Sequence, residues 1–313
     1  MQTNVQKLPI LFLIFNRNDV VVEALKSIRQ YRPSRLYIAA DGPRNNKPGE
    51  KERCMATRQT VIDMIDWSCE VKTLFRDENL GCAKAVSGAL NWFFSSEEFG
   101  VIIEDDVILS QDFYRFAEEL GERYANNDSV MMISAQYLGR YPYSKASYGF
   151  STFAQIWGWA SWRRAWAKMD MSMSRFPQIP FRRYIEAFGV IRGLIMYYYY
   201  WRHDYQLISS GGDISSWATR WAFNITADNG LVIVPGVNLV CNVGCSGAGG
   251  EHYSSDDEDL YSFLRLGNLK WPLVHPDKIS LNKHFQKLEN SDFLRVRWKG
   301  LKKKIRNIIR HKK

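Results

Sequence analysis

The chain has 313 residues, of which 46% are hydrophobic and 24% charged, and this near-average globular composition excludes a disordered or low-complexity protein. The net charge of +9 lies in one appendage: residues 294–313 contain six Lys, four Arg and no acid, and the other 293 residues sum to −1. The neutral body argues against nucleic-acid binding, and the basic tail favours contact with an anionic surface.

Neither a membrane-spanning helix nor a secretory signal is predicted. The uncharged runs near the strand-like segments reach only half of the roughly 20 residues that a spanning helix requires, and residues 1–7 lack the apolar segment of a signal peptide. The five cysteines are odd in number and lack the regular spacing of a disulfide framework, which favours free thiols in a reducing compartment. We therefore expect a cytoplasmic protein.

The first 135 residues alternate between short apolar runs and amphipathic patterns. The apolar runs predict strands at 9–15, 35–40, 69–75, 100–104 and 130–134. Apolar residues at three-and-four spacing predict helices at 19–31, 51–67, 83–95 and 112–125. This alternation predicts an α/β fold with a mostly parallel sheet, helices on both faces, and ligands beyond the carboxyl ends of the strands.

The character of the chain changes after residue 135, and eight of the eleven Trp lie between residues 150 and 275. We predict helices at 160–168 and 181–205, a strand pair at 231–234 and 237–243, and a glycine-rich loop at 244–250. The expected division is a first half at 1–135, a Trp-rich half at 136–290 packed against it, and a tail at 291–313 that forms a basic amphipathic helix.

Three consecutive acids, Glu104, Asp105 and Asp106, interrupt the apolar run 101–109. Carboxylates at the end of a buried strand are costly unless a cation neutralises them. Oxygen ligands with water in the remaining positions suit Mg²⁺ or Mn²⁺, so the run predicts a metal site. The alternative is an exposed turn, or a cap on the helix that follows.

Four cations lie at or just after the ends of different predicted strands: Arg17, Arg44, Arg76 and Lys84. They suit a nucleoside diphosphate, which requires positive charge and bidentate donors. Gly81 opens the third helix, whose N-terminus favours anions. Each cation alone is typical of a solvated surface, but four at one edge of a sheet favour a binding site.

Several segments, taken together, resemble the nucleotide-sugar half of GT-A-fold glycosyltransferases. They are 11–17 (LFLIFNR), 40–44 (ADGPR), Arg76-x-x-Asn79-x-Gly81-x-x-Lys84 and 104–106 (EDD). The branch is that of the inverting N-acetylglucosaminyltransferase I type and its bacterial surface-polysaccharide relatives. Residues 156–166 (IWGWASWRRAW) and 235–244 (PGVNLVCNVG) extend the resemblance, which covers about residues 8–255.

The resemblance implies a metal-dependent inverting transferase with a Rossmann-like GT-A fold and Mn²⁺ or Mg²⁺ as cofactor. Its first half would bind a nucleotide sugar, a UDP-sugar, and its second half a glycan or lipid-linked acceptor. By this resemblance Asp106 binds the metal, and His252 is a metal or diphosphate ligand, although a surface histidine is the alternative. The implied donor residues are Phe15, Asn16, Arg17, Asp41, Arg44, Asn79, Gly81, Lys84, Glu104 and Asp105.

Inversion requires a general base, normally a carboxylate. Asp213 is the first candidate, with Asp204 and Glu251 as alternatives, because the acid that the relatives carry beside the matching Trp217 is missing here.

The acceptor candidates are aromatic, because sugars stack on such rings. They are Trp157, Trp159 and Trp217, and a place in the core is the alternative for each.

The basic tail predicts attachment to the inner face of the plasma membrane, since each cation near an anionic leaflet contributes about 1 kcal/mol. A solvated tail is the alternative. A sugar-1-phosphate nucleotidyltransferase is disfavoured, because residues 16–19 lack the glycines of a phosphate loop. The remaining alternative is a catalytically inactive, peripheral carbohydrate-binding or scaffold protein.

Overall fold

The computed structural model describes residues 7–245 and 264–310. Its strands are β1 (Ile10–Ile14), β2 (Arg35–Ala40), β3 (Glu70–Phe75), β4 (Phe99–Glu104), β5 (Val107–Leu109), β6 (Val130–Ser134), β7 (Tyr148–Ser151), β8 (Trp159–Trp162), β9 (Leu231–Pro235) and β10 (Val240–Asn242). Its helices are α1 (Asn18–Tyr31), α2 (Glu50–Asp63), α3 (Cys82–Ser96), α4 (Gln111–Arg123), α5 (Arg163–Trp166), α6 (Arg182–Phe188), α7 (Val190–Ile195), α8 (Arg202–Ser209), α9 (Trp217–Ala227) and α10 (Lys283–Arg310). A π-helical turn, Met196–Trp201, joins α7 to α8.

The described residues form one sheet of eight strands and a ribbon of two. The large sheet has the order β3-β2-β1-β4-β8-β6-β9-β7, in which six strands run in one direction and β7 and β8 oppose them. The predicted α/β class with a mostly parallel sheet is confirmed. Both expected halves of the chain contribute to this one sheet.

The strand order reverses between β1 and β4. Strands β1, β2 and β3 lie side by side in chain order, and β4 then returns to pair with the other edge of β1. Because parallel crossovers are right-handed, this reversal puts α1 and α2 on one face and α3 on the other. Accordingly α1 packs with α2 and α4, whereas α3 packs with α5 and α9. Open α/β sheets have their ligand crevice at such a reversal.

The elements of the first half agree with the prediction to within a few residues. Strand β1, with the sequence ILFLI, is buried along its whole length, as expected for a strand covered on both faces. The exceptions are the helix predicted at 51–67, which ends at Asp63, and strand β5, which was not predicted.

Two helices predicted in the second half are wrong in part. Residues 159–162 form β8, because they pair with β4 and β6 in the middle of the sheet, and only 163–166 are helical. The region 181–205 is broken into pieces, since Gly189 at φ 75° ends α6 and the π-helical turn follows α7.

The predicted strand pair across Pro235 is also wrong. Strand β9 lies between β6 and β7 in the large sheet. Strand β10 instead pairs antiparallel with β5, with Asn242 opposite Val107. This ribbon brings the second half of the chain against the residue that follows the acidic turn.

The predicted C-terminal helix is confirmed as α10, which begins before the expected boundary at 290/291. It has 28 residues, but no helix in the described ranges, this one included, is long and apolar enough to cross a membrane.

A buried carboxylate attaches the start of α10 to the body. Glu289, 4% exposed, accepts hydrogen bonds from Ser151 Oγ at 2.6 Å and from Gln155 Nε2 at 3.0 Å. Arg192, 2% exposed, opposes it with positive charge. Burial nevertheless raises the pKa of Glu289 to about 7.

We predict that Glu289→Gln changes how stability depends on pH. Between its ordinary pKa of 4.5 and its folded pKa of about 7, Glu289 is ionised in the unfolded chain and protonated in the folded one. The free energy of unfolding of the wild type therefore falls as pH rises through this window, by at most about 3 kcal/mol. The variant lacks this loss. Chemical denaturation at pH 4.5 and at pH 7 should therefore show that the free energy of unfolding of the variant, measured relative to that of the wild type, is greater at pH 7.

The matched control is Glu122→Gln on the exposed side of α4, which should follow the wild type at both pH values. A difference between Glu289→Gln and wild type that is the same at both pH values would contradict the prediction.

Candidate functional site

A cavity of about 540 Å³ opens at the carboxyl ends of the parallel strands. The turns that follow β1, β2, β3 and β4 form its wall through residues 15–17, Asp41, Arg76 and 104–106. Parallel strands bring such turns to one edge of the sheet, and the cavity lies where the strand order reverses. Its volume is typical of small-molecule sites. Its position agrees with the expectation that ligands bind beyond these strand ends.

Most of the residues expected to bind the donor line this cavity. The predicted residues in its wall are Phe15, Asn16, Arg17, Asp41, Arg44, Asn79, Gly81, Glu104, Asp105, Asp106 and Trp157. Part of the remaining wall is apolar and includes Ala85, Val86 and Ala89 of α3 and Ile156. The structure thus brings these residues together, while the role of each toward a ligand stays a prediction.

One guanidinium holds the acidic turn at the end of β4. Arg17 forms ion pairs with Asp105 and with Asp106, the second at 2.8 Å between Nη2 and Oδ2. Asp105 is 5% exposed, and burial raises its pKa to about 6 against the opposing charge of Arg17. Burial, together with the charges of Asp106 and Asp105, raises the pKa of Glu104 to about 8. Residues 104–106 therefore do not form the exposed turn that was the alternative to a metal site.

One carboxylate oxygen of Asp106 has no partner in the part of the chain that the structure describes. Its Oδ1 atom is buried and makes no hydrogen bond within the described residues. The backbone amide of Val243 donates to the Asp106 carbonyl at 2.8 Å. A β-carbon at Gly244 would collide with the Asp106 carboxylate, so residues 243–244 lie directly against it.

This oxygen fits the expected Mg²⁺ or Mn²⁺. Such ions are commonly held by one or two carboxylates together with substrate phosphates. The described part of the chain contains no cluster of three or more ligating side chains. The second expected ligand, His252, lies outside the described residues.

Asp41 and Asn79 join two turns of the cavity wall. The Asp41 carboxylate accepts hydrogen bonds from the backbone amides of Gly42, Leu80 and Gly81 at 3.0–3.1 Å. Asn79 Nδ2 donates to the Gly42 carbonyl at 2.8 Å. The turn after β2 is therefore fixed to the turn that opens α3, a structural role that the resemblance did not imply.

Glu50 was not expected from the sequence, and it holds two other residues of the wall. Glu50 is 1% exposed and accepts hydrogen bonds from Asn16 Nδ2 at 2.9 Å and from the backbone and guanidinium of Arg44 at 2.6–3.2 Å. The bonds from Arg44 hold the pKa of Glu50 below its usual range. The same guanidinium lies 5.7 Å from the centre of the Phe15 ring. No signal singled Glu50 out, because acids in the first turn of a helix are common.

The remaining two cations differ in position. Arg76 is half-buried in the cavity wall, and its guanidinium makes no hydrogen bond or ion pair within the described ranges. Lys84 is 68% exposed, does not line the cavity, and lies 3.8 Å from Asp213. Arg76 is thus better placed than Lys84 to meet an anion in the cavity.

Two of the three predicted acceptor tryptophans are buried. Trp159 and Trp217 are 0% and 2% exposed, and their rings stack with centroids 5.7 Å apart. The expectation that these two rings face an acceptor is wrong. Trp159 lies on β8 in the middle of the large sheet, and Trp217 at the start of α9 covers the Trp159 ring. Trp157 lines the cavity and stays the acceptor candidate.

Neither base candidate within the described residues lines the cavity. Asp213 is paired with Arg220, which lowers the pKa of Asp213 and weakens it as a base. Asp204 lies beside His203, and burial raises the pKa of Asp204. The third candidate, Glu251, lies outside the described residues, so the base is not assigned.

No protein-family model and no curated protein matches the chain. Among solved structures, S. aureus TarS 1–349 is 11% identical, with 82% of this chain and 63% of that chain covered and a TM-score of 0.42. HddC from Yersinia pseudotuberculosis is 11% identical over 50% of this chain and 77% of its own, with a TM-score of 0.32. A putative glucose-1-phosphate thymidylyltransferase from Bacillus anthracis is 11% identical, with 51% of this chain and 74% of that chain covered and a TM-score of 0.30. Likeness of this degree indicates neither an activity nor a ligand for this chain.

We predict that Glu50→Ala destabilises the protein by about 3 kcal/mol, because it leaves the Arg44 guanidinium and the Asn16 amide without their buried partner. The free energy of unfolding from denaturant titration measures the loss. Glu52→Ala, an exposed acid in the same first turn of α2, is the control and should change stability by less than about 0.5 kcal/mol. Equal effects of the two substitutions would contradict the assignment.

Proposed function

We propose that this chain is a glycosyltransferase that moves a sugar from a nucleoside diphosphate sugar, a UDP-sugar, to a hydroxyl of a glycan or lipid-linked saccharide in bacterial surface-polysaccharide synthesis. One observation carries the proposal: Asp106 and Arg76 line the same cavity, and within the described residues neither the Oδ1 of Asp106 nor the guanidinium of Arg76 has a hydrogen-bond partner. A carboxylate for a divalent ion and a free cation together suit a diphosphate. The resemblance of the four segments in residues 11–106 to GT-A-fold glycosyltransferases supports the same ligand.

The reaction that we propose is metal-dependent and inverting. An acceptor hydroxyl displaces the nucleoside diphosphate from the anomeric carbon, and Mn²⁺ or Mg²⁺, when bound, stabilises the charge of the leaving group. Asp106 would hold the ion and Arg76 would bind the diphosphate, while Arg17 keeps the acidic turn in place. Trp157 would stack against a sugar. Inversion requires a base on the opposite face of that sugar.

We also propose that the protein works at the cytoplasmic face of the plasma membrane. The ten cations of residues 294–313 would bind anionic lipid, at about 1 kcal/mol each. An acceptor carried on a lipid would lie at the same surface.

We predict that Asp106→Asn abolishes metal-dependent release of nucleotide. The wild type, incubated with Mn²⁺ and a panel of UDP- and GDP-sugars, should slowly release nucleoside diphosphate, which chromatography quantifies. The variant should be slower by about 100-fold or more, because it loses the charged oxygen that holds the ion. A chelator should abolish release by the wild type in the same way.

The matched control is Asp63→Asn, on the exposed side of α2, which should retain wild-type release. Sugar binding without release from any donor would favour the catalytically inactive alternative. Formation of pyrophosphate from a nucleoside triphosphate and a sugar 1-phosphate would contradict glycosyl transfer.

We predict that Arg76→Gln weakens UDP binding about tenfold or more, because a charge-assisted contact to the diphosphate is lost. Isothermal titration calorimetry with UDP and Mn²⁺ measures this change. Arg29→Gln removes an equally charged side chain from the exposed pair with Asp66 and should leave UDP affinity unchanged. Wild-type affinity of Arg76→Gln would argue against a diphosphate in this cavity.

A further inference from the structure

An apolar stripe lies exposed along α7 and the π-helical turn after it. Val190, Ile191, Leu194 and Tyr198 are 62%, 61%, 40% and 55% exposed. At helical spacing these positions fall within about a third of the helix circumference, so they share one face. The other side of the same segment is buried, as Met196 shows. Surface helices of globular proteins normally present polar residues where this stripe is apolar.

Helix α10 contacts the π-helical turn that carries the end of the stripe. Tyr199, 61% exposed, lies under the guanidinium of Arg297 at 4.7 Å. Arg297 Nη1 also donates a hydrogen bond to the Tyr200 hydroxyl at 2.9 Å, which fixes α10 beside the π-helical turn. Leu294 and Trp298 of α10 are 40% and 60% exposed. Two neighbouring elements therefore expose apolar and aromatic side chains together.

Cations accompany this surface. Arg202 is exposed and lies 5.9 Å from the centre of the Tyr198 ring, and the side chain of Arg182 is 83% exposed. Among the described side chains of α10, Arg297 adds positive charge next to the π-helical turn, and Lys299 adds it close to Arg297 in sequence. An apolar helix face with Lys and Arg beside it is typical of helices that lie in the membrane interface, and Tyr and Trp are enriched at that depth. A second copy of this chain fits less well, because it would bring the same positive charge to the contact.

We propose that the apolar stripe on α7 and the π-helical turn is a second contact with an anionic bilayer, in addition to the basic tail on α10. The apolar side chains enter the headgroup region, and the neighbouring cations bind lipid phosphates. This contact does not depend on glycosyl transfer.

The location of the stripe has a consequence that does rest on the proposed function. Helix α8 runs on from the π-helical turn into residues 210–216, and there Asp213 contacts Lys84 in the first turn of α3, the helix that lines the cavity. A chain bound through the stripe would therefore hold this side of the molecule near the lipid that carries the acceptor.

The test is flotation of the full chain with vesicles of phosphatidylcholine alone and of phosphatidylcholine mixed with phosphatidylglycerol. We expect binding to the mixed vesicles, and we expect the double variant Ile191→Ser, Tyr198→Ser to bind about tenfold or more weakly. The control is Met55→Ser, Tyr141→Ser, which removes side chains that are 58% and 81% exposed on other parts of the surface. It should bind as the wild type does.

Three results would overturn the proposal. The first is no binding of the wild type to the mixed vesicles, and the second is equal binding by the stripe variant and its control. The third is a wild-type dimer, measured by sedimentation without lipid, that the stripe variant converts to a monomer. The two proposals fail separately. Vesicle binding tests the membrane contact, and Asp106-dependent nucleotide release in solution tests the proposed glycosyl transfer, so a chain that binds vesicles without releasing nucleotide would contradict only the second.

Discussion

Carboxylates buried at the end of a central strand require positive charge, and the candidate site is arranged around that requirement. Strands β1 and β4 pair in parallel with Leu13 opposite Glu104, so the residues that follow them emerge side by side. Arg17 therefore reaches Asp105 and Asp106 without any contribution from a ligand. One guanidinium does not satisfy every oxygen of the turn: Asp106 lines the cavity, and its buried Oδ1 has no hydrogen-bond partner among the described residues.

Two other parts of the wall are fixed by hydrogen bonds within the chain itself. Glu50 holds Asn16 and Arg44, and Asp41 takes the backbone amides that open α3. A buried polar network whose members are satisfied is rigid, because any displacement leaves a desolvated group without a partner. The Arg76 guanidinium, in contrast, has no hydrogen bond or ion pair within the described ranges. The described wall therefore combines a frame fixed by hydrogen bonds with a cation that these bonds do not engage.

Local periodicity predicted the first half of the fold well, because its strands and helices alternate with clear period-two and period-3.6 patterns. In the second half, Trp159, Trp162 and Trp166 recur at helical spacing, yet residues 159–162 form a strand, since pairing with β4 and β6 outweighs a local pattern. The cavity wall was predictable from strand ends. Glu50 was not, because its partner Asn16 lies 34 positions away and only the folded chain brings them together.

The ribbon of β5 and β10 has a consequence for how the protein is made. It joins the residues directly after the acidic turn to a segment that the ribosome adds well over a hundred positions later. During synthesis the acids emerge early, but the backbone that encloses Asp106 is still absent. A nascent or truncated chain would thus carry the acidic turn without its enclosure, and the complete pocket would arise only when synthesis has passed residue 244.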